Sequence, residues 1–302
     1  MNRKLILPII IIVALAAIII PQVVEEMRRV RGSAPVSQPS ASPQNRSGAR
    51  QPPGNGQRDD TSDQNEDLTE HAEQRETFQL EPGARLELVN IRGHIEIETT
   101  AEGNTAEIHV ITSANSRSFL ERHRIVFEHS PTNLMVRGES SEFSSIWHTG
   151  GGNVRQRVTL RVPRNIEFSA NEINGRVRVG EIDGSVEMRE IDGTIDIAGA
   201  RGRADINEVN GRVNVTLRDL GSEHFQVRNI NGGVEIRFVG VVNADVHAER
   251  NNGSVDIALP NVTMQDRRNR ANFRARIGTG GPLIGISRVN GRVRLAPLAN
   301  ES

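Results

Sequence analysis

NEINGRVRVGEIDGSVEMREIDGTIDIAGARGRADINEVNGRVNV, residues Asn171 to Val215, returns a glycine at every ninth position: Gly175, Gly184, Gly193, Gly202 and Gly211. A fixed period of this kind is the mark of a fold built by stacking one small unit on the next. The period continues in a stretched form. Gly175, Gly193 and Gly211 stand eighteen apart, Gly232 and Gly253 follow at twenty-one each, and Gly291 closes the series after thirty-eight. A second series, Gly184, Gly202, Gly221 and Gly240, falls midway, as if one glycine set marked each edge of a coil.

Apolar residues occupy the second and fourth places after the first glycine set: Val177 and Val179, Ile195 and Ile197, Val213 and Val215, Val234 and Ile236, Val255 and Ile257, Val293 and Leu295. The midway series adds Val186 and Met188, Ala204 and Ile206, Phe225 and Val227, Ile284 and Ile286. This is the alternation of short strands with one face inward. Asn-Gly and Asp-Gly are also hairpin signals, so an antiparallel meander is the competing arrangement. In RVRVGEI, however, Ile182 falls on the opposite parity from Val177 and Val179. A parallel coil resolves this with a corner near Gly180, and the same offset recurs at Ile191 and Val209. The pattern therefore predicts an all-β β-solenoid of eighteen to twenty-one residues per coil. One such coil buries too few aliphatic side chains to offset its backbone entropy, so coils must stack and their ends must be covered.

Composition agrees with thin repeated layers. Of 302 residues, 36% are hydrophobic, 28 are glycine and 3% are aromatic. The formal net charge of -1 exerts no whole-chain pull on nucleic acid or anionic lipid. Cysteine is absent, which excludes disulfides, thiolate metal sites and a cysteine nucleophile.

The chain divides by composition. Residues 1–4 form a basic flank, and residues 5–24, LILPIIIIVALAAIIIPQVV, contain no formal charge. At about 1.5 Å per residue that run reaches roughly 30 Å, the thickness of a bilayer's hydrocarbon core, and predicts a transmembrane signal anchor. Ala14-Leu15-Ala16 offers a signal-peptidase pattern, so cleavage is the rival reading. Arg28, Arg29 and Arg31 nearly balance Arg3 and Lys4, leaving orientation undecided by charge. The signal-like layout implies a single pass through a bacterial inner membrane with the β domain exported. Residues 25–75, rich in Pro, Ser and Gln, predict a disordered linker. The ordered domain is expected over 76–297, with irregular strands over 76–163, coils over 164–297 and a tail over 298–302. RLELVNIRGHIEIETT, TAEIHVIT, RIVFEH, NLMVRG and VRQRVTLRVP read as strands, and Ser116 to His123 as a helical turn.

LELVNIRGHIEI at the start of the domain, VTLRVP before the coils, the units NGRVRV, DGSVEM, DGTIDI and NGRVNV, and the closing IGTGGPLIGISRVNGRVRL together resemble one family. That family is the bacterial "putative adhesin" domain of β-strand repeats, a domain of unknown function. The resemblance covers about Thr77 to Pro297. It implies a β-solenoid-like domain, often exported or membrane-tethered, and carries over no catalytic residues. The arginine-rich insertion NVTMQDRRNRANFRARIG departs from the family pattern and is expected to blur one coil.

Calcium-binding repeats place paired aspartates at each turn, whereas Asp183 and Asp192 stand singly and read as turn formers. Asn174, Asn210, Asn231, Asn252 and Asn290 precede successive glycines and predict a side-chain ladder along one edge, with glycan contact as its functional alternative. An outward row reads Arg178, Asp196, Asn214, Glu235, Asp256 and Arg294. In it Glu235 and Asp256 would lie about 5 Å apart, the separation a retaining glycosidase uses. Against an enzyme, tyrosine is absent and Trp147 is the only tryptophan, so no sugar platform is evident. The histidines show no metal-ligand spacing, although His123 and His129 could meet in space. Gly278 to Gly281 lacks the lysine of a phosphate loop and reads as a turn. Arg267, Arg268, Arg270, Arg274 and Arg276 form a basic patch without the interleaved aromatics of a nucleic-acid site.

The sequence thus predicts a membrane-tethered, non-enzymatic module acting by surface contact as an adhesin-like or envelope scaffold. No catalytic, cofactor or metal residues are assigned. Its partners are the membrane, through 5–24, and an envelope protein or polysaccharide, with self-association as a further expectation. The alternative is a bactofilin-like scaffold whose ends stack into filaments at the membrane. A polysaccharide-cleaving β-helix enzyme ranks behind both.

Overall fold

The computed structural model describes residues 68–139, 153–220 and 224–298. The first strands are β1 (Glu70–Gln79), β2 (Arg85–Thr100), β3 (Thr105–Ala114), β4 (Ile125–Ser130), β5 (Asn133–Gly138) and β6 (Val154–Pro163), with helix α1 (Arg117–Arg122) between β3 and β4. Three long strands follow: β7 (Glu167–Ile182), β8 (Val186–Arg201) and β9 (Ala204–Asp219). Shorter ones complete the chain: β10 (Phe225–Asn231), β11 (Val234–Phe238), β12 (Ala244–Glu249), β13 (Ser254–Ile257), β14 (Val262–Arg267), β15 (Phe273–Ile277), β16 (Leu283–Val289) and β17 (Arg292–Pro297). The fold is all-β. The anchor expected at 5–24 and the part of the expected linker up to residue 67 lie outside the described residues. Among the described residues no helix is long and apolar enough to cross a membrane.

Each long strand has a sharp bend near its middle, for a reason visible in its backbone. Glu172, Glu190 and Glu208 hold left-handed φ values of 57°, 53° and 58°, three residues before glycines at 146°, 152° and 154°. The bend resets side-chain parity. In β7, Phe168 and Ala170 point inward before it, Ile173 fills the corner, and Val177, Val179 and Ile182 point inward after it. The ladder also skips Gly180, passing from Val179 to Glu181, so the corner expected there is present as a second break.

The long strands pair in parallel with an eighteen-residue step. Ile173 faces Ile191 and then Val209, and Gly175 faces Gly193 and then Gly211. Asn-Gly here marks a bend between stacked legs, and the antiparallel meander is excluded for this region. The first legs form a ladder β4-β5-β2-β7-β8-β9-β10-β16-β12-β15-β14. The second legs form β1-β3-β6-β2-β7-β8-β9-β11-β17-β13. The bent strands join the two ladders into one seventeen-stranded sheet. Inward residues of both legs make one contiguous core from Leu80 to Leu295, with Phe168 and Phe225 its largest fully buried side chains.

Three expectations need correction. The sheet as a whole is not a β-solenoid of successive coils, because β16 and β17 insert between β10/β11 and β12/β13, and antiparallel strands close both ends of the first-leg ladder and the β1 end of the second. The excursion through the arginine-rich insertion carries the chain back across the stack before the last coil forms. That insertion does not blur a coil; it folds as the antiparallel hairpin β14–β15. The linker expected through residue 75 gives way to strand at Glu70, where β1 pairs with β3 through ten positions. Of its side chains Phe78 packs on the core. An edge strand held by backbone hydrogen bonds needs little apolar content, which is why composition concealed it.

Candidate functional site

The bend edge is built first by glycine. A β-carbon on Gly193 would overlap the carbonyl oxygen of Gly175, one on Gly211 that of Gly193, and one on Gly232 that of Gly211. Adjacent coils approach too closely there for any side chain. The second glycine series is different in kind. Gly184 meets the Ile166 carbonyl, but Gly202 and Gly240 have no close neighbour and serve turns with φ of 86° and 78°.

Beside the glycine column runs the amide ladder that the sequence predicts. Asn174 and Asn210 both donate to Asp192, at 3.4 and 3.0 Å. Asn231 donates to Asn210 at 2.9 Å, Asn290 to Asn231 at 3.2 Å and Asn252 to Asn290 at 3.2 Å. Two features escaped sequence reasoning: Asp192 serves as a rung, and Asn290 precedes Asn252 because the last coil is inserted. Each asparagine commits one amide N–H to a neighbouring coil, so the ladder ties the coils together along this edge.

The outward row is reordered in the same way. It runs Glu96, Arg178, Asp196, Asn214, Glu235, Arg294 and Asp256. Arg294 therefore separates Glu235 from Asp256, placing them two strand spacings apart, about 10 Å. The glycosidase pair is not assembled. Glu235 instead accepts from Arg237 at 3.0 and 3.3 Å, and Asp196 from Asn214 at 2.7 Å.

Several other titratable groups pair within the scaffold. Glu181 takes Arg164 at 2.8 Å and Arg218 on its other oxygen. Arg218 reaches it across β8 because Gly199 offers no side chain in the way. Asp183 pairs with Arg201 at 3.5 Å. His123 Nδ1 donates to the Phe119 carbonyl, 2.8 Å away, and the ring stacks on Phe119, while His129 Nε2 donates to the Gln79 carbonyl at 2.9 Å and its ring stacks on Phe78. Each histidine thus has its own partners. No cluster of three or more metal-ligating side chains occurs among the described residues. Gly278 to Gly281 forms a turn in which Thr279 N–H donates to Asn243 at 3.0 Å. Trp147 and His148 lie outside the described residues.

The hairpin β14–β15 carries the basic patch and frames a cleft of about 430 Å³ with the end of β12. Its tip is fixed by Asn269, whose side-chain oxygen accepts from Ala271 N–H, Asn272 N–H and the Asn272 amide at 2.9, 2.9 and 3.0 Å. Asn251, largely buried, ties the hairpin to β16. It donates to Ala271 and Ile286 carbonyls and accepts from Val289 N–H, all within 3.2 Å. Arg276 pairs with Asp245 at 3.0 Å, and this hydrogen bond is the main cause holding the Asp245 carboxyl below its usual range.

No protein-family model and no curated protein matches the sequence. Among solved structures, the chain is similar to a "putative cell adhesion protein" from Clostridium sporogenes, at 10% identity and a TM-score of 0.34, over 75% of this chain and all (100%) of that one. It is similar to a "putative adhesin" from Bacteroides fragilis at 9% identity and TM-score 0.28, over 74% and 97% of the two chains. A "putative lipid binding protein" from Parabacteroides distasonis matches at 8% identity and TM-score 0.28, over 75% and 97%.

Proposed function

We propose that this chain is a non-enzymatic, adhesin-like contact module of the cell envelope, tethered by residues 5–24 and exported. The observation that carries this reading is the character of the sheet's edges. β1, EHAEQRETFQ, closes one ladder with charged, exposed side chains, and β14, VTMQDR, closes the other with five of its six residues exposed. β13, at the opposite end from β1, is four residues long. Charged and short edge strands oppose end-to-end pairing. They favour a discrete displayed body over the filament-forming alternative. The separation of Glu235 from Asp256 removes the catalytic candidate and supports the non-enzymatic part of the reading. The resemblance in the repeat units supports the adhesin-like part.

The test combines topology with contact. Cells expressing the full chain are treated with protease before and after inner-membrane permeabilisation, and their adherence to envelope-coated surfaces is compared with cells lacking it. Digestion before permeabilisation and adherence that depends on the chain are expected. Digestion only after permeabilisation, or adherence unaffected by loss of the chain, would overturn the proposal.

A further inference from the structure

Resting on the contact-module reading, we propose that the cleft at the tip of β14–β15 binds a carboxylate-bearing saccharide. Arg250, Arg268 and Arg274 line it, together with Glu249 and Asp266. Among the described residues Arg276 is the hairpin arginine that meets a carboxylate; Arg250, Arg267, Arg268, Arg270 and Arg274 form no ion pair. The three lining arginines exceed the two acids by one charge, and Arg267 and Arg270 add two more nearby. Guanidinium forks match a planar carboxylate with two parallel hydrogen bonds. Glu249 and Asp266 supply acceptors for sugar hydroxyls, and the same acids would oppose a continuous layer of anionic lipid headgroups. The recess has room for one or two sugar rings, and the hydrogen bonds of Asn269 and Asn251 hold it rigid, so little ordering is spent on binding. Phe273, the aromatic of the lining, is buried beneath the hairpin and offers no stacking face, which disfavours nucleobases.

Calorimetry on the full chain in neutral detergent tests the idea with three probes: a galacturonate oligomer, its methyl ester and glycerophosphate. The galacturonate oligomer is expected to bind, more weakly as salt rises, and the uncharged ester is not. Arg268→Ala with Arg274→Ala should weaken binding by about tenfold or more, with the melting temperature unchanged because both side chains are exposed. Arg212→Ala, on the far ladder, should leave it intact. Equal binding of the ester, equal or tighter binding of glycerophosphate, an unaffected double variant, or no binding at all would overturn the proposal. If the domain still adheres to envelope surfaces without binding galacturonate, this inference fails and the contact-module reading stands. If it does neither, both fail.

Discussion

At the scale of single residues, the stack depends on positions where no side chain fits. Gly193 combines a φ of 152° with a carbonyl of the neighbouring coil where its β-carbon would be, whereas Gly240 has a positive φ in open space. Gly193→Ala should therefore cost about 3 kcal/mol, as overpacking between fixed backbones does, and Gly240→Ala about 1 kcal/mol from left-handed strain alone. Thermal melts of the two variants would show the difference, and equal costs would contradict the close approach. His94 reads the same ladder electrostatically. It sits between Arg157 and Arg176 on adjacent strands, and burial first, then those arginines and Arg178, hold its imidazole below its ordinary value, with Glu96 opposing. The unfolded chain then binds the proton more readily than the fold does. Stability should fall as pH drops through about 6.5. His94→Asn should flatten the dependence of melting temperature on pH across that window; an unchanged slope would remove His94 as its source.

At the scale of elements, repeats were legible and exceptions were not. β7, β8 and β9 follow from nine-residue glycine spacing because each coil meets a near copy of itself, so one local rule recurs. The inward pairs after each glycine are buried as the alternation requires, apart from Ile257, which is half-buried at the short edge strand β13. β1 was hidden because an edge strand pairs through its backbone. The hairpin β14–β15 was hidden because arginine runs describe a charge and not a pairing. Its anchor, Asn251, gives a direct test: Asn251→Ala leaves the Val289 N–H and two carbonyls without that partner. A loss of about 2 kcal/mol is expected, with faster amide exchange in β14 and β15 than in β8. Uniform exchange across the sheet would mean the hairpin is held by other contacts.

At the scale of the whole molecule, two ladders share one core and end in edges that resist pairing. Exchanging Glu73, Arg75 and Glu76 for valine would turn β1 into an apolar edge next to a paired ladder. Sedimentation should then show stronger concentration-dependent association than the parent chain gives, since charge on edge strands opposes such pairing. Association of the parent to the same extent would instead favour the filament-forming scaffold.

The sequence by itself determined the all-β class, the coil length, the inward rows and the asparagine seam, because each of these follows from neighbours at a fixed spacing. Only the tertiary structure decided the order of the coils. β16 and β17 enter between earlier strands, and that one insertion places Arg294 between Glu235 and Asp256 and Asn290 between Asn231 and Asn252. Spacing along a chain states which residues are equivalent, while the register between distant strands is chosen by which edges remain open when the last coil docks.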